Sequence, residues 1–147
     1  MAKRILFVDD EPEFVRPQVI ALEDAEYEVV LEMNPDRAIT LLRQQKFDLI
    51  ILDLIMPPRH GDREQDYAET GAKLHQEIRD RLGLTDIPIV FLTVVRDQVI
   101  RREIKQREQD YGHKLRYLTK PVSSSDVVIE VQRALGDPQN PELANGG

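Results

Sequence analysis

The chain has no cysteine. That excludes a disulfide framework and any thiolate metal site. No apolar run approaches the roughly 18 residues needed to cross a bilayer, so no membrane-spanning segment is expected. The opening residues, MAKRILFVDDEP, lack the long apolar stretch of a secretory signal. Positive charge is in short supply: 20 Lys and Arg stand against 27 Asp and Glu, a formal net charge of -7. This balance argues against nucleic acid or an anionic membrane surface as the main partner. The three histidines, His60, His75 and His113, show no ligand spacing and read as surface residues.

What is present is the composition of a globular chain: 41% hydrophobic and 32% charged over 147 residues. That length suits one domain with a real core. Residues 1–137 are expected to form it, followed by a short polar tail over 138–147. A cytoplasmic location is the expectation.

Short apolar runs alternate with amphipathic stretches. Residues 5–8, 28–31, 48–52 and 87–92 read as strands rich in Ile, Val and Leu on both faces, and 115–119 as a weaker fifth. Such runs suit a parallel sheet covered on both sides. Helical signals lie between them. In NPDRAITLLRQQ, Asn34 is placed to cap, Pro35 takes the first helical position, and Ala38, Leu41 and Leu42 share a face. Leu74, Ile78 and Leu82 recur every four residues before Gly83. In SSSDVVIEVQRALG, Ser123 stands three residues before Asp126, a capping-box-like start; Val127, Val131 and Leu135 form a stripe that stops at Gly136. Pro17 predicts that the first helix kinks or begins near it. The order is βα repeated five times, which builds an α/β fold with a doubly wound, five-stranded parallel sheet.

In such sheets ligands bind beyond the carboxyl ends of the strands, at the topological switch point. Asp9 and Asp10 end the first strand, Asp53 the third, Thr93 the fourth and Lys120 the fifth. Clustered carboxylates suit a hard divalent cation such as Mg²⁺, which also relieves their mutual repulsion. A lysine ammonium and a threonine hydroxyl suit phosphoryl oxygens, and an aspartate can attack phosphorus itself. Each residue alone has a plainer reading. The Asp pair can be a helix cap, Asp53 a turn residue, Lys120 a solvated cation, and Tyr117 an aromatic packed at a strand edge. Coincidence of all of them at one sheet edge is what favours the chemical reading.

These residues carry a resemblance. FVDDEP, LDLIMP, FLT and YLTKP, in that order and at strand ends, resemble the receiver domain of two-component response regulators, of the chemotaxis-regulator-like type, over about residues 3–136. The resemblance implies a flavodoxin-like (βα)5 fold. It implies Asp53 as phosphoacceptor, with Mg²⁺ held by Asp9, Asp10, Asp53 and the backbone carbonyl of Ile55. Lys120 would pair with the phosphoryl group and Thr93 would hydrogen-bond it. Tyr117 would be the aromatic that turns inward as Thr93 moves, and Pro121 the proline after the lysine, where a cis bond is common.

The sequence departs from the family pattern in two loops. The glycine that follows the acceptor motif matches Gly71, 18 positions beyond Asp53, so residues 58–70 read as an insertion without an apolar stripe of its own. The segment between Thr93 and Lys120 is also long, and Val99, Ile100, Ile104 and Tyr111 suggest an extended fourth helix. Val94 stands where many receivers have a small residue. Ile55 and Val95 offer no hydrogen bond to a hydrolytic water, which predicts slow self-dephosphorylation.

The resulting expectation is a stand-alone phosphoryl-accepting switch rather than an enzyme, monomeric or weakly dimeric. Its donor would be a histidine kinase or a phosphotransfer protein, and its output contact with a downstream protein. The alternative is a constitutive binding module that keeps the fold without being phosphorylated. A phosphatase with an aspartyl nucleophile is disfavoured. Such enzymes carry a second acid two residues after the nucleophile, where this chain has Ile55.

Overall fold

The computed structural model describes residues 2–56, 67–94 and 97–139. The strands are β1 (Arg4–Val8), β2 (Glu28–Glu32), β3 (Leu49–Leu52), β4 (Ile89–Thr93) and β5 (Arg116–Thr119). They form one parallel sheet in the order β2-β1-β3-β4-β5. The helices are α1 (Pro12–Asp24), α2 (Pro35–Gln44), α3 (Tyr67–Gln76), α4 (Gln98–Asp110) and α5 (Ser124–Leu135). Sequence order reverses between β1 and β3, the switch point where a doubly wound sheet opens a crevice.

Side chains alternate across each strand, and that alternation sorts the core into two layers. Leu6, Val8, Ile50, Leu52, Ile89 and Phe91 meet α2, α3 and α4 on one face. Ile5, Phe7, Leu49, Ile51, Val90 and Leu92 meet α1 and α5 on the other. The three central strands are fully covered, each large side chain gaining about 1.5–3 kcal/mol from burial. β2 departs from that pattern. As the edge strand it runs exposed at Glu28 and only half-buried beyond it.

Local chemistry sets the helix ends. Asn34 Oδ1 accepts from the backbone N–H groups of Asp36 at 2.8 Å and Arg37 at 3.4 Å. Ser123 Oγ accepts from Asp126 N at 3.1 Å, and α5 ends at Gly136 with φ 68°. Asp97 caps α4 through Val99 N at 2.8 Å.

The first helix does not begin near Pro17. It begins at Pro12, and Pro17 lies inside it. Pro17 cannot donate to the carbonyl of Glu13, but both residues are exposed, so water can satisfy that carbonyl. The buried face, carrying Val15 and Leu22, is untouched.

Leu74, Ile78 and Leu82 face one core cluster as their spacing predicts, but the helix type changes between them. After α3 the chain makes a π-helical turn over Glu77–Arg81, with Leu82 N bonded to Glu77 O at 2.9 Å. Ile78 and Arg79 are both buried, four residues after buried Leu74 and His75, and Leu82 is half-buried. On α4 the buried stripe is Ile100, Ile104 and Glu108; Val99 is exposed and Tyr111 falls at the C-cap. Residues 57–66 and 140–147 lie outside the described residues, and with them most of the expected insertion and of the polar tail. The insertion's last residues open α3, and Thr70 is buried.

Candidate functional site

The carboxyl ends of β1, β3, β4 and β5 bring the expected side chains together. Asp9 N donates to Glu32 O at 3.0 Å, and Asp9 Oδ1 accepts from Glu11 N at 2.9 Å, which fixes the acid just past β1. Asp53 N donates to Val8 O at 3.0 Å, tying the end of β3 to β1. Its Oδ1 accepts from Ile55 N at 3.0 Å. Lys120 N donates to Thr93 O at 2.9 Å, holding the lysine beside β4. The Lys120 ammonium then reaches back across the crevice, at 2.6 Å from Asp9 Oδ2 and 3.3 Å from Asp53 Oδ2. Asp9 and Thr93 are fully buried and Asp53 is 4% exposed.

Electrostatics follow from this crowding. Burial pushes the Asp53 carboxyl up to about 6, with Asp9 adding to the rise. The Lys120 ammonium, the Ile55 N–H and a hydrogen bond from the Thr93 side chain pull it back. Burial also raises Asp10, and the neighbouring Asp9 charge adds to it. For Lys120 burial works against the charge, but the Asp9 and Asp53 carboxylates outweigh it and hold the ammonium above its usual range.

Asp9, Asp10 and Asp53 each offer an oxygen within 4.8 Å of the others. Asp10 Oδ1 is buried with no hydrogen-bond partner among the described residues. A buried acceptor without a donor is costly, and a hard cation is the ligand that would satisfy it. The donor set therefore fits Mg²⁺.

A family model, the response regulator receiver domain, matches residues 5–132. The chain belongs to that family. It is 32% identical to the phosphate regulon transcriptional regulatory protein PhoB of Pseudomonas aeruginosa, covering 99% of this chain and 59% of that protein. It is also 32% identical to the transcriptional regulatory protein BaeR of Escherichia coli O6:H1, over 90% of this chain and 48% of that protein. The chain thus spans about half the length of the curated relatives it matches. Among solved structures it resembles the chemotaxis response regulator CheY4 of Vibrio cholerae, with TM-score 0.70 and 26% identity over 92% of this chain and 100% of that one. Receiver domains are signalling modules of two-component systems, with phosphorelay and Mg²⁺ binding as general features of the family.

Other receiver features can now be located. Gly71 presses on the backbone beside the central aspartate. A Cβ there would lie 2.3 Å from Leu54 Cα and 2.6 Å from Asp53 O, so this position of α3 has room only for glycine. Gly71 N donates to Leu54 O at 3.1 Å. Tyr117 is half-buried, with the Arg101 guanidinium 4.8 Å over its ring. The Lys120–Pro121 peptide is cis. Val94, the residue after Thr93, is 51% exposed. Val95 lies outside the described residues.

Three polar features escaped the sequence reading. Gln18 Nε2 donates to Val122 O at 3.0 Å and anchors the loop after Lys120 to α1. Arg101 covers Tyr117, as described. His75, read as a surface residue, is fully buried. Its Nε2 lies 2.6 Å from Glu108 Oε1, and its ring meets Phe91 edge-on at 5.0 Å. A signal for the last feature existed: Glu108 continues the four-residue stripe of Ile100 and Ile104, and His75 and Arg79 are one turn apart.

Proposed function

We propose that Asp53 accepts a phosphoryl group from a histidine kinase or a phosphotransfer protein, and that the product changes the contacts this chain makes with a downstream protein. In the transfer, an Asp53 oxygen attacks phosphorus, the bond from phosphorus to the donor nitrogen breaks, and the imidazole leaves and takes up a proton. The observation that carries this reading is the Lys120 ammonium bridging Asp9 and Asp53 in a buried crevice, with the Thr93 side chain bonded to Asp53. Asp53 is the acid that faces Lys120 and Thr93 together.

Asp9, Asp10, Asp53 and the Ile55 carbonyl are the groups that would hold Mg²⁺, which when bound supplies positive charge against the carboxylates and the phosphoryl oxygens. Lys120 neutralises part of the carboxylate cluster and is within reach of any group built on Asp53. Thr93 supplies a hydroxyl from the neighbouring strand end. The switch is a population shift: a dianion on Asp53 favours the state in which Lys120 and Thr93 close on it. Tyr117, on β5, is placed to follow Thr93.

The test is incubation with a small phosphodonor and Mg²⁺, read by intact mass. Wild type should gain one phosphoryl group. Asp53→Asn should gain none, and excess chelator should suppress labelling of wild type. Equal labelling of wild type and Asp53→Asn would overturn the assignment. An unlabelled wild type would favour the constitutive binding module.

A further inference from the structure

Helix α4 is held to the rest of the molecule by contacts of different kinds at its two ends. Near its C-terminus, Glu108 is buried and fully paired. Its Oε1 accepts from His75 Nε2 at 2.6 Å and from Arg79 Nε at 2.8 Å, and its Oε2 accepts from Arg79 Nη2 at 2.9 Å. Arg79 Nη1 donates to Leu84 O at 2.8 Å and Ile87 O at 2.7 Å. The His75 ring is fixed from its other side, where Arg107 Nη1 lies 3.2 Å from Nδ1. A guanidinium only donates and a carboxylate only accepts, so His75 is the neutral tautomer with its proton on Nε2. Tyr111 adds a hydrogen bond from its hydroxyl to Asp80 on the π-helical turn.

The N-terminal half has no such network among the described residues. Asp97 caps α4's own backbone and so ties the helix to nothing else. Ile100 and Ile104 pack against the core, Val99 is 63% exposed, and Arg101 stacks on Tyr117. Apolar contacts are non-directional and tolerate sliding. A buried ion pair with a fixed fork geometry does not: moving Glu108 off Arg79 would strand a charge in the interior.

We infer that α4 moves as a lever with a fixed C-terminal pivot: Arg79, Glu108 and His75 clamp its last turns onto the π-helical turn after α3. The change that starts at Thr93 and Tyr117 is carried by Gln98 to Ile104. This inference rests on the phosphoacceptor reading above. Arg79 meets Glu108 from within the π-helical turn, one turn after His75.

Amide hydrogen exchange of the whole chain, read by mass spectrometry with and without Mg²⁺ and beryllofluoride, tests it. Beryllofluoride is a tetrahedral anion that caps a carboxylate as a phosphoryl group would. Peptides covering 50–56 should gain protection. Peptides covering 98–104 should change exchange rate by about threefold or more, while 105–111 and 77–82 stay unchanged. Equal change along the whole of α4 would overturn the lever. No response at 50–56 would instead mean that the phosphoacceptor reading has failed, and the inference with it. The double variant Arg79→Met/Glu108→Met replaces the clamp by apolar groups of similar length. In it the response should spread to 105–111. A folded double variant in which 50–56 responds but 105–111 stays silent would also overturn the clamp. If that variant does not unfold cooperatively, the wild-type pattern alone decides.

Discussion

Replacing Gly71 by alanine sets two effects of opposite sign against each other. In a helix interior alanine is better than glycine by about 1 kcal/mol, because it loses less backbone freedom on folding. At position 71 that gain meets a wall. The new Cβ would lie 2.3 Å from Leu54 Cα, 2.6 Å from Asp53 O and 2.8 Å from Leu54 O. Carbon atoms rest at about 3.5–4.0 Å, so α3 or the 53–54 backbone must retreat by on the order of 1 Å. All three obstacles are backbone, so no rotamer change relieves them. Overpacking of this kind costs about 1–3 kcal/mol, and losing the bond from Gly71 N to Leu54 O adds about 1 kcal/mol. The clash wins, and a net loss of about 1–3 kcal/mol is expected after the propensity gain. For a domain of this size that lowers Tm by roughly 4–12 °C.

Urea or thermal unfolding followed by circular dichroism measures the loss. The displacement also reaches Asp53, so labelling by a small phosphodonor should slow in the same variant. Gly83→Ala is the control. That glycine has φ 69° and nothing within 4 Å of a built Cβ, so alanine there meets only backbone strain, about 1–2 kcal/mol, and labelling should not change. A Gly71→Ala protein as stable as wild type, labelled at the wild-type rate, would refute the close-approach argument.

Two more predictions follow from the buried network and the insertion. Burial holds His75 below its unfolded value of 6.5; Glu108 opposes this, while Arg107 and Arg79 add to it. Burial would raise Glu108, but His75 and Arg79 outweigh it and hold the carboxyl below 4.5. For both groups the unfolded state binds more protons, so their stabilisation is present above the unfolded values and is lost on acidification. The His75 part is lost from about pH 6.5 downward at up to about 1.4 kcal/mol per pH unit, and the Glu108 part only below about 4.5. Urea midpoints measured from pH 7.5 to 5.5 should fall for wild type and flatten in His75→Gln; parallel curves would contradict the network's ionisation. Replacing Arg59–Asp66 by a short Gly/Ser link should leave folding and small-donor labelling intact while altering transfer from the cognate kinase, and unchanged transfer would leave the segment neutral.

Much of this molecule was legible in the chain itself. The strands could be read because β1, β3 and β4 are apolar on both faces, which only a doubly covered parallel sheet explains. Asn34, Ser123 and Gly136 end helices through contacts within a few residues, so their roles travel with the local sequence. Asp9, Asp10, Asp53, Thr93 and Lys120 stand at strand ends, and a parallel sheet gathers strand ends of one polarity at one edge. The tertiary structure decided what depends on distant partners. His75 is buried because Glu108, 33 positions on, supplies an acceptor in the interior. Arg79, one turn after His75, turns inward because Glu108 and the carbonyls of Leu84 and Ile87 receive it. Pro17 is tolerated because its side of α1 faces water, and β2 is half-exposed because the strand order leaves it at the edge. Gly71 is needed because another segment's backbone passes within contact distance. Capping and alternation act over a few residues and can be read in order along the chain. Whether a polar side chain is buried, or a backbone crowded, is set by what the fold brings against it.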